Sequence, residues 1–466
     1  MSRHKGWAIV LSVAVIIWLI PHPEGVSADA WHLLAIFAAT IVGLIVQPMP
    51  LGAMVILAVT SIALLGIVPA RTALTGFANG TVWLIVSAFL LARAFIVTGL
   101  GRRIAFLLIR AFGRRTLGLA YAVAAADLAI APATPSNTAR AGGILYPIVR
   151  SLASALGSEP GDTARKVGAY LIKTEYQVTI ITSAMFMTAM AANPLVVELA
   201  AETSDVRLTW GGWALGAILP GLISLAVVPW LLYKIYPPEI KETPAAAQLA
   251  RDELEKMGPM TRAEKILLTV FIGILILWAT SQLHGIYATT VALIGLSCLL
   301  VTNVLSWQDV LGERGAWDAL VWFGGLVMMA GQLNALGLVA WFADEVSGRV
   351  SSWPWLAALM VLAAVYFYAH YAFASMTAHV TALFPAFLAV AIAAGAPPYL
   401  AALIFAYSSN LNGSLTHYAT GPSPIYYGSG YVDLPTWWKL GLVISIVNIT
   451  IWTVVGFPYW KALGLW

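Results

Sequence analysis

Two short segments hold the residues best suited to chemistry. Pro135-Ser136-Asn137-Thr138-Ala139-Arg140 places two hydroxyls, an amide and a guanidinium within six residues. Ala374-Ser375-Met376-Thr377-Ala378-His379 repeats the hydroxyls and a basic side chain at matching places, 239 residues on, the distance from Ser136 to Ser375. Upstream, Val97-Thr98-Gly99-Leu100 is matched by Ala335-Leu336-Gly337-Leu338 at an offset of 238. Hydroxyls and amides are neutral donors. They bind a carboxylate and still let it go, which is the chemistry of a carrier's anion site. One such motif alone is ordinarily a helix cap, but two at nearly one offset argue for a duplicated site.

Arg140 and His379 each stand two residues past the threonine of their motif, in apolar surroundings. A charge inside a membrane costs roughly 2.5–3.5 kcal/mol on insertion scales, so such a residue is a functional candidate by default. Charge compensation or coupling is the role expected of the pair. The plainer alternatives are an Arg140 that snorkels to the surface and a His379 that is a neutral core residue. Lys173 reads as an interfacial, snorkelling side chain. Lys173 and Glu175 are two apart and share no helix face. Asp127 caps or bonds backbone, with no transport role. His370 and His417 lack the i, i+4 spacing to His379 that helical metal ligands need, so they read as packing. Cys298 is the one cysteine, which excludes an intramolecular disulfide and a cysteine metal site. There is no phosphate-binding Gly-Lys-Ser/Thr loop. No nucleophile–base pair or zinc motif supports an intramembrane enzyme, and a channel is the other remote alternative.

These motifs need elements to position them, and composition says which. Of 466 residues, 60% are hydrophobic and 10% charged, against about 45–50% and about 25% in soluble domains. That predicts an all-α polytopic membrane protein. Its net charge of +4 is no nucleic-acid footprint, and its 19 Trp and 17 Tyr can form interfacial belts. Eleven spans are expected near 7–20, 30–48, 51–68, 82–100, 168–200, 211–236, 265–283, 286–304, 318–340, 397–430 and 436–460. The stretches 118–150 and 353–394 are apolar with polar or small residues at mid-length, and read as re-entrant hairpins carrying the two motifs at their tips. Each precedes a span with its own interruption. The first holds Thr182-Ser183 and Asn193-Pro194; the second holds Asn410 to Ser414 and Thr420-Gly421-Pro422-Ser423-Pro424. Broken backbone at membrane depth is tolerated only inside protein or beside a wet cavity.

Arg102, Arg103, Arg110, Arg114 and Arg115 form one basic cluster, and Lys234, Lys241, Arg251, Lys256, Arg262 and Lys265 another. Both belong on the cytoplasmic side. Acidic segments 24–29 and 198–205 then fall outside, with the N-terminus inside and the C-terminus outside. Residues 237–264 are a charged cytoplasmic linker, helical over Ala245–Lys256. Arg3, His4 and Lys5 precede an apolar run; Val26-Ser27-Ala28 is similar to a signal cleavage site, but an uncleaved first span is the favoured reading. An odd number of crossings separates the two copies, so the repeat is inverted. Inverted repeats with matching broken spans mark secondary transporters.

The two tip motifs, the span order and the duplication resemble the divalent anion/sodium symporter family, and within it the exchanger branch of citrate/succinate and tartrate/succinate antiporters and plastid 2-oxoglutarate/malate translocators. The resemblance covers almost the whole chain. It implies a homodimeric elevator in a bacterial inner membrane, exchanging di- or tricarboxylates. It implies scaffold segments 1–115 and 265–352, moving segments 116–236 and 353–466, and the linker 237–264 between the halves. Ser136, Asn137, Thr138, Ser375, Thr377 and Thr420 would touch substrate carboxylates. Thr182, Ser183, Gly421, Pro422 and Ser423 would support the breaks. The departure is Met376, where the symporters have asparagine. No cofactor is expected. Asn137 leaves one sodium site open, but Met376 and Arg140 count against sodium coupling. A sodium-coupled dicarboxylate symporter is the alternative.

Overall fold

The computed structural model describes residues 3–350 and 354–466. The expected boundary between 352 and 353 therefore lies outside the described residues. Each of the eleven predicted spans holds helix. Among the described residues, eight helices are long and apolar enough to cross a membrane; Leu51–Leu64 and Ala288–Val301 are apolar but shorter. Their ends follow local chemistry. Ser27, Asn79, Thr209 and Asp433 each accept a backbone N–H of the first turn they precede. Thr261 and Glu264 form a reciprocal capping box that starts Arg262–Ala279.

Helix Arg314–Ala335 packs on Leu51–Leu64 and on Gly80–Thr98. Its contact with the turn Thr75–Ala78 is backbone against backbone. A Cβ added at Gly76 would lie 1.8 Å from the Gly324 carbonyl oxygen, so only glycine fits there. Helix Gly168–Met185 is buried along its whole length. It packs on Thr116–Ile130, Tyr146–Ala155, Trp210–Ile235 and Pro398–Leu411, and so lies against the first hairpin and the second broken span.

Both hairpins are present. The first runs through helix Thr116–Ile130, a 3-10 turn Ala131–Ala133, the tip, a π-helical stretch Thr138–Leu145 and helix Tyr146–Ala155. The second runs through Trp355–Ala369, the turn His370–Ala372, the tip and Met376–Ala393. Both spans that follow are broken, though not where the side chains alone suggested. The first breaks at residues 186–191, between helix Gly168–Met185 and helix Ala192–Ser204. Thr182 and Ser183 thus end the first half helically, and Asn193-Pro194 open the second, where a proline in the first turn costs no hydrogen bond. The second span breaks after Leu411, passes a 3-10 turn Asn412–Ser414, and resumes at Ser423–Gly428.

The linker is less independent than its charge suggested. Its helix, Pro244–Met257, packs along the amphipathic helix Leu100–Phe112. The buried Arg103 bonds Glu264 at 2.6 Å and the Gly258 carbonyl at 2.9 Å. Thr116 Oγ1 donates to the Ile240 carbonyl at 2.6 Å and Thr243 Oγ1 to that of Gly113 at 2.8 Å. Charged groups that look solvated in a sequence are here spent on one another.

Candidate functional site

At the first tip, Pro135 holds Thr134 in an extended conformation and ends the helix. Ser136 Oγ then accepts the Ala139 N–H at 3.1 Å. At the second tip, Ser375 is extended and its Oγ accepts the Ala378 N–H at 3.3 Å. Both serines thus cap the helices they precede. The amide and the threonines do otherwise. Asn137 Nδ2 donates to Thr420 Oγ1 at 3.0 Å, across 283 residues of chain. Thr138 lies against Gly421, where an added Cβ would meet Thr138 Oγ1 at 2.0 Å. Thr377 is half-buried. Met376 and Thr420 both lie against Gly413. The first tip and the second break are therefore in contact, with the second tip beside them.

The breaks are tied to each other too. Asn193 Nδ2 donates to the carbonyls of Ser183 at 2.9 Å and Phe186 at 3.1 Å, and Asn410 Nδ2 donates to Asn193 Oδ1 at 2.7 Å. Ser423 Oγ accepts the Thr420 N–H at 3.0 Å, and Tyr176 Oη reaches both the Gly413 carbonyl at 2.5 Å and Ser423 Oγ at 2.6 Å. Pro422 is buried while Gly421 is exposed.

Arg140 does not snorkel. It is fully buried, and its guanidinium is held on every side. Nε donates to Asp127 Oδ1 at 2.6 Å, Nη1 to the carbonyls of Ala189 at 2.8 Å and Thr134 at 3.0 Å. Nη2 donates to Ser183 Oγ at 2.9 Å and Thr182 Oγ1 at 3.3 Å. One side chain thus ties the first tip to the first break. Two corrections follow. Arg140 is a paired charge, not the free tethered charge expected of a coupling residue. Asp127, expected to cap or bond backbone, is its counter-ion. An acidic residue within an apolar stretch carries the same functional default as Arg140, and that signal was there to use.

His379 is also fully buried. Its Nε2 faces the Tyr366 carbonyl at 3.0 Å, and a carbonyl can only accept, so Nε2 carries hydrogen. Its Nδ1 faces Asn412 Nδ2 at 3.5 Å. The ring packs against Tyr366, Phe373 and His370, with centroids 4.4–5.0 Å away. This is the setting of a neutral imidazole, so the expected positive charge at the second tip is not formed in this arrangement. His370 Nε2 donates to the Ala419 carbonyl at 2.9 Å, and His417 Nδ1 accepts Trp438 Nε1–H at 3.2 Å. Lys173 is buried as well. Its ammonium sits 3.8 Å from the Trp437 ring centroid and 3.3 Å from the Trp437 carbonyl. The snorkelling expected of it fails because Gly168–Met185 is central and leaves no route to the surface.

Two clefts open beside the first hairpin and the first break. One, of about 540 Å³, is lined by Arg102, Phe106, Gly143, Ile144, Leu249 and Glu253. The other, of about 570 Å³, reaches from Tyr287 and Arg207 inward to Met187 at the first break.

Two hairpin tips meeting two broken helices, buried among apolar spans, define a membrane transporter of the inverted-repeat kind. The fold agrees with that of the Alcanivorax borkumensis YdaH transporter (TM-score 0.60, 15% identity, covering 99% of this chain and 98% of that one). The family model for the sodium:sulfate symporter transmembrane region matches residues 1–466, and the chain belongs to that family of divalent-anion transporters. Bacillus subtilis YflS is 52% identical over 459 residues, covering 98% of this chain and 96% of its own. The chloroplastic dicarboxylate transporter 1 of Spinacia oleracea is 50% identical over 455 residues, covering 97% of this chain and 80% of its own.

Proposed function

We propose that the protein is a sodium-independent exchanger of di- or tricarboxylates. The spinach relative, named as a dicarboxylate transporter, supports the substrate class. The observation that carries exchange over symport is Met376, which puts a thioether beside Gly413 and Thr420 in place of the amide of the symporters.

In this reading Asn137, Thr138, Thr377 and Thr420 receive the carboxylates, while Ser136 and Ser375 hold the helix starts that face them. Arg140 touches protein groups only and is a positioning residue. The hairpins and the spans at 168–236 and 397–460 move against the rest as an elevator, within a homodimer in a bacterial cell membrane. An empty carrier then carries unsatisfied tip donors past an apolar scaffold, at about 1–3 kcal/mol for each. A penalty of about 3 kcal/mol slows that passage by over a hundredfold. Bound substrate satisfies the donors and permits it.

Sodium-coupled symport is the second reading, and one observation favours it. Asn412 Oδ1, Ser414 Oγ and Thr416 Oγ1 are buried in the second break without hydrogen-bond partners, and neutral oxygens are what sodium takes. Uptake of labelled dicarboxylate into liposomes decides between the two. Exchange requires uptake only into preloaded vesicles, with or without sodium. Strong uptake into empty vesicles under a sodium gradient overturns it.

A further inference from the structure

Behind the first tip lies a second carboxyl group that the transport reading does not use. Glu175 is 2% exposed and sits one helical turn before Thr179. The Thr179 hydroxyl lies within hydrogen-bond reach of two carboxyl groups, Asp127 through Oδ2 and Glu175 through Oε1 at 3.2 Å. A hydroxyl has one hydrogen to give. If Thr179 gives it to one carboxylate, its oxygen lone pairs face the other, and that contact is attractive only if the second carboxyl carries a proton of its own.

Asp127 is the one that needs no proton. It accepts from Arg140 Nε at 2.6 Å and from Thr182 Oγ1 at 3.1 Å, as well as from Thr179. Glu175 has no such company. Its Oε2 is buried without a hydrogen-bond partner. Tyr426 faces it, but the Tyr426 hydroxyl spends its hydrogen on the Ala141 carbonyl at 3.0 Å. The Tyr426 oxygen can therefore only accept. A bare carboxylate buried among acceptors is strongly disfavoured.

We propose that Glu175 is a proton-binding site of the transporter, wired through Thr179 to the Asp127–Arg140 pair. Glu175 O–H donates to Thr179, Thr179 donates to Asp127, and Asp127 accepts from Arg140. With the proton on, Arg140, Asp127 and Glu175 sum to zero charge. When base removes it, the Glu175 O–H bond breaks, the proton passes to water, and the cluster becomes an anion directly behind the first tip.

The groups facing Glu175 are Asp127 on the first arm of the hairpin, Arg140 on the second, and Tyr426 on the segment after the second break, itself packed edge-on against Tyr146 at 5.2 Å. Helix Pro398–Leu411 brings no charged residue. Lys173, on the same helix as Glu175, turns away to Trp437. Among the described residues nothing else there balances a second carboxylate, so its ionisation opposes an incoming dianion.

This effect on transport rests on the exchanger reading; the proton site itself does not. Infrared spectroscopy of the purified, substrate-free protein tests the site directly. The wild type should show the C=O stretch of a buried protonated carboxyl at neutral pH, and Glu175→Gln should lack that band. Its absence from the wild type, or its full persistence in Glu175→Gln, overturns the proposal. In exchange assays, the wild-type KM for dicarboxylate should rise with pH by roughly tenfold, the order expected of one charge in a low-dielectric interior. Glu175→Gln should keep the low-pH KM throughout. An equal rise in both proteins overturns the coupling. Absence of exchange at every pH, with the infrared result as expected, instead overturns the exchanger reading and leaves the proton site supported.

Discussion

The two hairpin tips use one geometry for two chemistries. Arg140 reaches back 13 residues to Asp127, and His379 reaches back 13 residues to Tyr366. Both side chains are fully buried, and both tie the start of the second arm to the first. At the first tip the tie is a charge pair fixed by carbonyls and hydroxyls from the first break. At the second it is a neutral imidazole on a backbone carbonyl, packed among rings. The duplicated chain therefore kept the position of the strut and changed its electrostatics. A charge needs a counter-ion and several further acceptors to be buried, and only the first tip has them. The comparison teaches that a basic residue at a repeated position need not be a charge in both copies.

The largest expected effect breaks the charged strut. Arg140→Ala or Asp127→Ala alone should cost about 3–5 kcal/mol of stability, because each leaves the other charge buried and unpaired. Thermal unfolding of the purified protein reads it. The double variant should recover part of that loss. His379→Leu, which leaves a carbonyl unpartnered but strands no charge, should cost only about 1–3 kcal/mol. Equal costs at the two tips would contradict the contrast drawn between them.

Smaller effects sharpen the functional side of the same comparison. Thr138→Ala and Thr377→Ala should each weaken substrate binding by about 0.5–3 kcal/mol without loss of abundance. Near-normal uptake in both would remove the tips from the site. Smaller still, Ser136→Ala and Ser375→Ala should each cost about 0.5–2 kcal/mol of stability, as losses of a helix cap do. Substrate affinity should move less than in the threonine variants. The reverse ranking would return the serines to direct carboxylate contact.

Much of this was legible in one dimension. Sustained apolar stretches and polar interruptions marked an all-helical membrane chain, its two hairpins and which spans are broken, because a bilayer leaves few alternatives to an internally bonded helix. The repeat of Ser136-Asn137-Thr138 in Ser375-Met376-Thr377 located the tips. What failed was the state of the charges. Lys173 does not reach water, Arg140 is paired rather than open, His379 sits as a neutral ring rather than a cation, and Asp127 is a counter-ion rather than a cap.

Those properties belong to partners distant in the chain. Arg140 is balanced by a residue 13 positions away and fastened by others 42 and 43 away. Asn137 meets Thr420 across 283 positions. Periodicity and composition act over a turn or a span, so they mark apolar helices and the spans that carry an interruption, but not the residue at which each one breaks. Whether a buried side chain is charged, shared or spent depends on the dielectric and the donors around it. That is settled by the packing around each group, with helix Gly168–Met185 set against the first hairpin and both breaks.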